Sequence, residues 1–164
     1  MKTLLVALAG NPNAGKTSLF NAITGSKQHV GNWPGKTIAK KEGNLQFKGH
    51  DLKIVDLPGT YSLSAFSPEE VIARDFIVQE KPDVVVTVLD AANLERNLYL
   101  AVQVLEMEVP VVVALNMADI ADSKHIHINR TKLSQALNAP VVRTIARKEE
   151  GTRELLDAII DVAQ

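Results

Sequence analysis

The sequence predicts an α/β protein built on a mainly parallel sheet with helices on both faces. Three observations carry that expectation. Short apolar runs alternate with stretches of helical periodicity, a glycine-rich loop joins the first run to the first helix, and one hairpin interrupts the alternation. Parallel strands need right-handed crossovers, and the hairpin places a single antiparallel strand at an edge. The chain has 164 residues, which fits one domain around one core and is expected to span 1–164 as a unit. An apolar share of 46% and a charged share of 23% exclude a disordered chain. With no cysteine there is no disulfide framework, no cysteine-based zinc site and no thiol nucleophile. A net charge of −1 gives no reason to expect a polyanion, so no nucleic-acid partner is expected. The apolar runs Val84–Leu89 and Val109–Leu115 fall far short of the roughly 20 residues a spanning helix needs. The N-terminus lacks the cleavage pattern of a signal peptide, so the cytosol is the expected compartment.

Thr3–Ala9 is a buried strand that runs directly into Gly10. Residues Thr17 to Thr24 form a helix with Leu19, Phe20 and Ile23 on one face, stopped by Gly25. Gln28–Thr37 contains Gly31, Pro34 and Gly35 without periodicity and reads as a loop. Ile38–Phe47 and Leu52–Asp56 are strands joined through Lys48–Gly49. Ser67-Pro68-Glu69-Glu70 is a capping box with proline at the first helical position, opening a helix to about Glu80. Val84–Leu89 is a second buried strand, and Leu94, Leu98, Ala101, Val102 and Leu105 then recur at helical spacing. Val111–Leu115 is a strand, Thr131–Leu137 a short helix and Val141–Thr144 the last strand. Leu155, Leu156, Ile159, Ile160 and Ala163 define a closing amphipathic helix. Ligands of such sheets bind at the carboxyl ends of the strands, where the motifs fall.

Gly10-Asn11-Pro12-Asn13-Ala14-Gly15-Lys16-Thr17 matches the phosphate-loop pattern, between a strand and a helix as that pattern requires. Its glycines let successive backbone N–H groups approach phosphate oxygens, and the helix start at Thr17-Ser18 adds a favourable partial charge. Lys16 is placed to reach the terminal phosphates, and the Thr17 hydroxyl to complete a Mg²⁺ shell. Asp56-Leu57-Pro58-Gly59 ends a strand expected beside that loop. Asp56 can hold a Mg²⁺-bound water, and the Gly59 N–H can approach a γ-phosphate. Asn116-Met117-Ala118-Asp119 follows an apolar strand, where a carboxylate can accept from guanine N1–H and its exocyclic amine. Adenine presents no such pair of donors. Thr37 closes the aperiodic loop. Its hydroxyl and carbonyl can serve Mg²⁺ and the γ-phosphate, against the plainer role of starting a strand. Trp33, the only tryptophan, lies in the same loop, where a core role is not expected; packing of the loop on a neighbour is its alternative role. His125 and His127 have no carboxylate at metal-ligand spacing and read as solvated, and the lysines 36, 40, 41 and 48 as an exposed strand face.

In this order the motifs resemble those of Ras-like P-loop GTPases, and more closely the N-terminal G domain of the FeoB ferrous-iron transport family. The resemblance rests on Gly10–Ser18 with Asn13, on Val30-Gly31-Asn32-Trp33-Pro34-Gly35 before Thr37, on residues 56–62 and on residues 90–100. It extends to about Thr144. It implies a six-stranded sheet and a potassium-assisted GTPase taking GTP, GDP, Mg²⁺ and K⁺, with Asn13 and the backbone carbonyls of Gly31 and Trp33 as potassium ligands. Lys16, Thr37, Gly59 and Asn13 are the residues expected to act on the γ-phosphate. The residue after Gly59 is Thr60, where Ras-like proteins place a water-orienting glutamine, so slow hydrolysis is expected. The last base-contacting motif, usually Ser-Ala-Lys, is replaced by Thr144-Ile145-Ala146-Arg147; Ala146 can still offer its N–H to the guanine oxygen. Members of the family continue into a helical spacer and a membrane permease, so a cytoplasmic switch regulating iron uptake, with the possibility of a homo-oligomer, is what the resemblance implies. Two alternatives stay open on the residues alone: an RNA-associated assembly GTPase of the Era type, and a module that holds GDP without turnover.

Overall fold

Seven strands lie in one sheet in the order β2-β3-β4-β1-β5-β6-β7, in a computed structural model that describes residues 2–164. β1 (Lys2–Gly10) is flanked in parallel by β4 (His50–Asp56) and β5 (Val84–Asp90); β6 (Val111–Asn116) and β7 (Val141–Arg143) continue the parallel ladder. β3 (Ala39–Phe47) pairs antiparallel with β4 through Lys48 and Gly49, both at positive φ, which is the two-residue hairpin the sequence predicts. It is the one strand that runs against the rest, but it is not at the edge. Gln28–Asn32, expected as loop, forms β2 and pairs antiparallel with β3, which raises the strand count from six to seven. Gln-His-Val-Gly-Asn carries no alternation because β2 buries almost nothing. Its order comes from backbone pairing, which leaves no mark in side-chain pattern.

The helices are α1 (Lys16–Thr24), α2 (Pro68–Glu80), α3 (Leu94–Glu106), α4 (Ala118–Ser123), α5 (Arg130–Leu137) and α6 (Thr152–Ala163). Ser67 caps α2 as expected, its hydroxyl accepting the Glu70 N–H at 3.1 Å, with Pro68 at the first position. The short α4 was not expected; two turns of Ala-Asp-Ile-Ala-Asp-Ser give too little periodicity to register. α5 buries none of its residues fully.

The central strands are buried on both faces, and period-two alternation divides them between two cores. Val84, Val86 and Val88 face α1 and α6 with Val6, Leu8, Phe20, Leu155 and Ile159. Val85 and Leu89 face α2 and α3 with Ala7, Phe76, Ile77, Leu100 and Val104. Trp33 belongs to this second core: it is 6% exposed and stands edge-on to Phe76 at 5.7 Å between ring centroids. That corrects the expectation that it stays out of the core. The loop folds back over α2 and carries the indole inward, so the role of loop anchor and a core role coincide. No helix among the described residues is long and apolar enough to cross a membrane.

Candidate functional site

The carboxyl edge of the sheet gathers the loops after β1, β4, β6 and β7. β1 delivers its chain end at Gly10 between β4 and β5, so the phosphate loop rises from mid-sheet. Gly15 sits at φ 81°, and a Cβ there would lie 2.3 Å from Asn116 Nδ2. Only glycine permits that approach. Ala14 N–H donates to Asn11 O at 3.1 Å and Leu19 N–H to Gly15 O at 2.9 Å, closing the turn into α1. Asn11 is buried, and neither its amide oxygen nor its nitrogen has a partner among the described residues. Pro12, Asn13, Thr17 and Ser18 are exposed along the outer rim of the loop.

Lys16 and Asp56 meet in a buried ion pair, the lysine Nζ donating to the aspartate carboxylate. The end of β4 is laced to β1: Leu57 N–H donates to Leu8 O and Thr60 N–H to Gly10 O, each at 3.1 Å. Gly59 then passes so close to the phosphate loop that a Cβ on it would stand 2.9 Å from Pro12 Cα. Lys16, Asp56 and Gly59 are thus brought together as expected. Thr60 is buried, with its main chain tied to Gly10. The following loop is held to the helices on that face. Ser62 Oγ donates to Glu70 at 2.7 Å and Leu63 N–H to Gln103 Oε1 at 2.7 Å.

At the other end of the cleft, Asn116 is 2% exposed and joins three segments. Its Nδ2 donates to Ala14 O at 3.0 Å, while its Oδ1 accepts from Thr144 Oγ1 at 3.1 Å and from Ala146 N–H at 3.0 Å. The Ala146 N–H, expected to face a guanine oxygen, is therefore engaged by Asn116 in this structure. Met117 adopts a left-handed turn at φ 58° into α4, whose first turn presents Asp119. Gly15, Ser18, Asn116, Met117, Asp119, Ile145 and Arg147 line a cavity of about 100 Å³. The Arg147 guanidinium donates to the Asp119 carboxylate. Burial alone pushes the Asp119 carboxyl up. Arg147, the Ile120 N–H and the charge of Lys148 outweigh it and hold it below the usual carboxylate range.

Three expected residues stand apart from this cluster. Thr37 is exposed in the turn between β2 and β3. Gly31 pairs with Lys40 inside β2, and the Trp33 carbonyl accepts the Lys36 N–H at 2.9 Å. β2 ends at the same edge as β1 but three strand spacings away, about 14 Å across the sheet. The Gly31 and Trp33 carbonyls thus sit on β2 and the turn after it, not on the loop after β1 that carries Asn13. His125 and His127 are exposed, and no metal-binding cluster of acidic residues, His and Cys occurs among the described residues.

Gln103 was missed at the sequence level, a lone polar residue beside a loop contact with no motif spacing to mark it, and Arg147, named only as the end of the last base-contacting motif, was given no role of its own. Residues 90–100, read only as a family stretch, have a structural reason. Asp90 accepts from the Ala92 N–H at 2.8 Å and from Asn93 Nδ2 at 2.9 Å, and buried Asn97 accepts the Asp90 N–H at 3.2 Å. The asparagines fix the tight turn from β5 into α3.

Residues 4–159 match the family described as ferrous iron transport protein B. The chain is 47% identical over 163 residues to the Fe(2+) transporter FeoB of Escherichia coli K12, covering 97% of this chain and 21% of the relative. It thus spans about a fifth of the length of the curated relatives it matches. The G domain of Methanococcus jannaschii FeoB superposes with a TM-score of 0.89 at 46% identity, covering 99% of each chain. The cytosolic domain of the Thermotoga maritima FeoB iron transporter in a GDP form gives 0.96 at 48% identity over 99% of this chain and 64% of that one; its GMPPNP form gives 0.95. With a phosphate-loop pattern, an Asp-x-x-Gly turn and an Asn-x-x-Asp loop at one edge of a Ras-like sheet, the chain belongs to the ferrous iron transport protein B family and has the fold of its G domain, a GTPase-type fold.

Proposed function

We propose that this chain binds GTP and GDP, hydrolyses GTP slowly, and acts as the nucleotide switch of a ferrous iron transporter. The observation that carries the reading is the Asn116 side chain. It ties the phosphate loop at Ala14 to the base loops at Thr144 and Ala146, so one rigid frame spaces a phosphate cradle from a carboxylate suited to guanine. The relatives with GDP and GMPPNP in their descriptions support the nucleotide class.

Within that reading, the N–H groups of residues 13–18 and the Lys16 ammonium bind the phosphate tail. Lys16 leaves Asp56 to do so, which frees the Asp56 carboxylate. The hydroxyls of Thr17 and Thr37 and the Asp56 carboxylate, through water, are hard oxygen donors of the kind Mg²⁺ takes. Held by these residues, the ion would supply neutralisation of the negative charge on the phosphate tail. Asp119 accepts from the guanine edge, and Gly59 offers its N–H toward the γ-phosphate. Water is the nucleophile, and Thr60 in place of glutamine supports slow turnover. Asn13 with the Gly31 and Trp33 carbonyls is the proposed potassium set.

Family membership sets aside the Era-type alternative. Iron uptake itself, gated or regulated from the cytoplasmic face through a helical spacer and permease, belongs to the longer protein, as does any homo-oligomer. Competition binding tests the base reading. The unaltered protein should prefer GTP to ATP by orders of magnitude and release phosphate when Mg²⁺ is present, whereas Asp119→Ala should weaken GTP and lose the preference. Unchanged selectivity in that variant would refute the assignment.

A further inference from the structure

We propose that Arg147 is an internal competitor for the base-reading carboxylate, occupying Asp119 when no base is bound and lowering affinity for guanine nucleotides. The inference rests on the guanine reading above and adds a residue that sets how tightly the site holds its ligand.

The placement is fixed by the fold. Ala146–Lys148 is a single 3₁₀ turn after β7, pinned at its first residue by the Ala146 N–H on Asn116 Oδ1. Asp119 is held in the first turn of α4, where the Ile120 N–H donates to Met117 O at 3.1 Å and closes the turn. The arginine next to the pinned alanine lines the base cavity and donates to the Asp119 carboxylate. The chemistry makes the two ligands equivalent. The N1–C2–N2 edge of guanine is a cyclic guanidine: two N–H donors on nitrogens sharing one carbon. The Arg147 side chain carries the same fork, and one of its terminal nitrogens donates to Asp119 Oδ2. Guanine needs both oxygens of that carboxylate, so each base that docks with its full edge must take Oδ2 from the arginine. Lys148 also faces Asp119 and attracts it, but contributes charge without the fork.

A neighbouring pair provides the control. Arg143, on β7, grips Asp122 one turn further along α4, outside the base cavity. It clamps the same helix to the same edge of the sheet. If Arg147 merely steadied α4, losing either arginine would have the same effect.

Because Arg147 is largely exposed, the competition is modest, about two- to fivefold in affinity. The test measures the Kd and dissociation rate of fluorescent GDP for the unaltered protein and for Arg147→Ala, Arg143→Ala, Asp119→Ala and the Asp119→Ala/Arg147→Ala pair. Arg147→Ala should bind two- to fivefold tighter with slower release, and Arg143→Ala should match the unaltered protein. In the Asp119→Ala background, removing Arg147 should change nothing. Equal or weaker binding by Arg147→Ala overturns the proposal, as does a gain that survives without Asp119 or that Arg143→Ala reproduces. An unaltered protein with no affinity for GDP overturns the guanine reading itself, and is seen before any variant is made.

Discussion

The Asn116 side chain spends its hydrogen bonds on three segments that lie far apart in sequence, and its environment explains what the Asn-x-x-Asp spacing alone does not. Its Nδ2 and Oδ1 hold Ala14, Thr144 and Ala146 while the residue is almost wholly buried. Asn116→Ala strands a buried carbonyl, a hydroxyl and an amide, and should cost about 3 kcal/mol, a fall in Tm of roughly 9 °C in thermal unfolding. A loss of binding with unchanged Tm would instead make it a pure base contact. Gly15 shows the same joint from the opposite side, since any side chain there would strike Asn116. At this scale the sequence was informative where a motif fixes both residue type and spacing, as for Lys16, Asp56 and Asp119. It placed Arg147 in the last base-contacting motif but not its partner, because that partner lies 28 positions away and no period links the two.

At the scale of elements, legibility followed burial. β5 and β6 are buried at every position and could be read directly, and the capping box located α2 from four letters. β2, which buries almost nothing, could not. What holds the β2–β3 turn in place is Trp33, packed edge-on to Phe76 with the Lys40 ammonium 4.8 Å from its ring centre. Its Nε1 has no hydrogen-bond partner among the described residues, so packing and not hydrogen bonding is its contribution. Trp33→Ala should therefore cost about 3 kcal/mol, whereas Trp33→Phe should cost much less. Denaturant titration of both variants distinguishes the two outcomes. Equal losses would mean that the indole nitrogen matters after all.

At the scale of the molecule, the two cores on opposite faces make β1, β4, β5 and β6 a stiff platform. Its carboxyl edge carries one loop system tied through Asn116 and another anchored by Trp33. The phosphate and base loops share Asn116, while β2 hangs on the outer side of β3. The proposed potassium site joins the two systems, since Asn13 belongs to the first and Gly31 and Trp33 to the second. Phosphate release should thus be faster in KCl than in NaCl, and Asn13→Ala should abolish the difference while leaving GDP affinity nearly intact; equal rates in the two salts for the unaltered protein would count against the site. The lone indole has one more consequence. A tryptophan shut away from water emits at shorter wavelength than a solvated one, and every such photon from this protein comes from Trp33. Should β2 peel away when a triphosphate arrives, the emission maximum will move to the red, so the protein carries its own optical gauge of that movement and needs no attached dye.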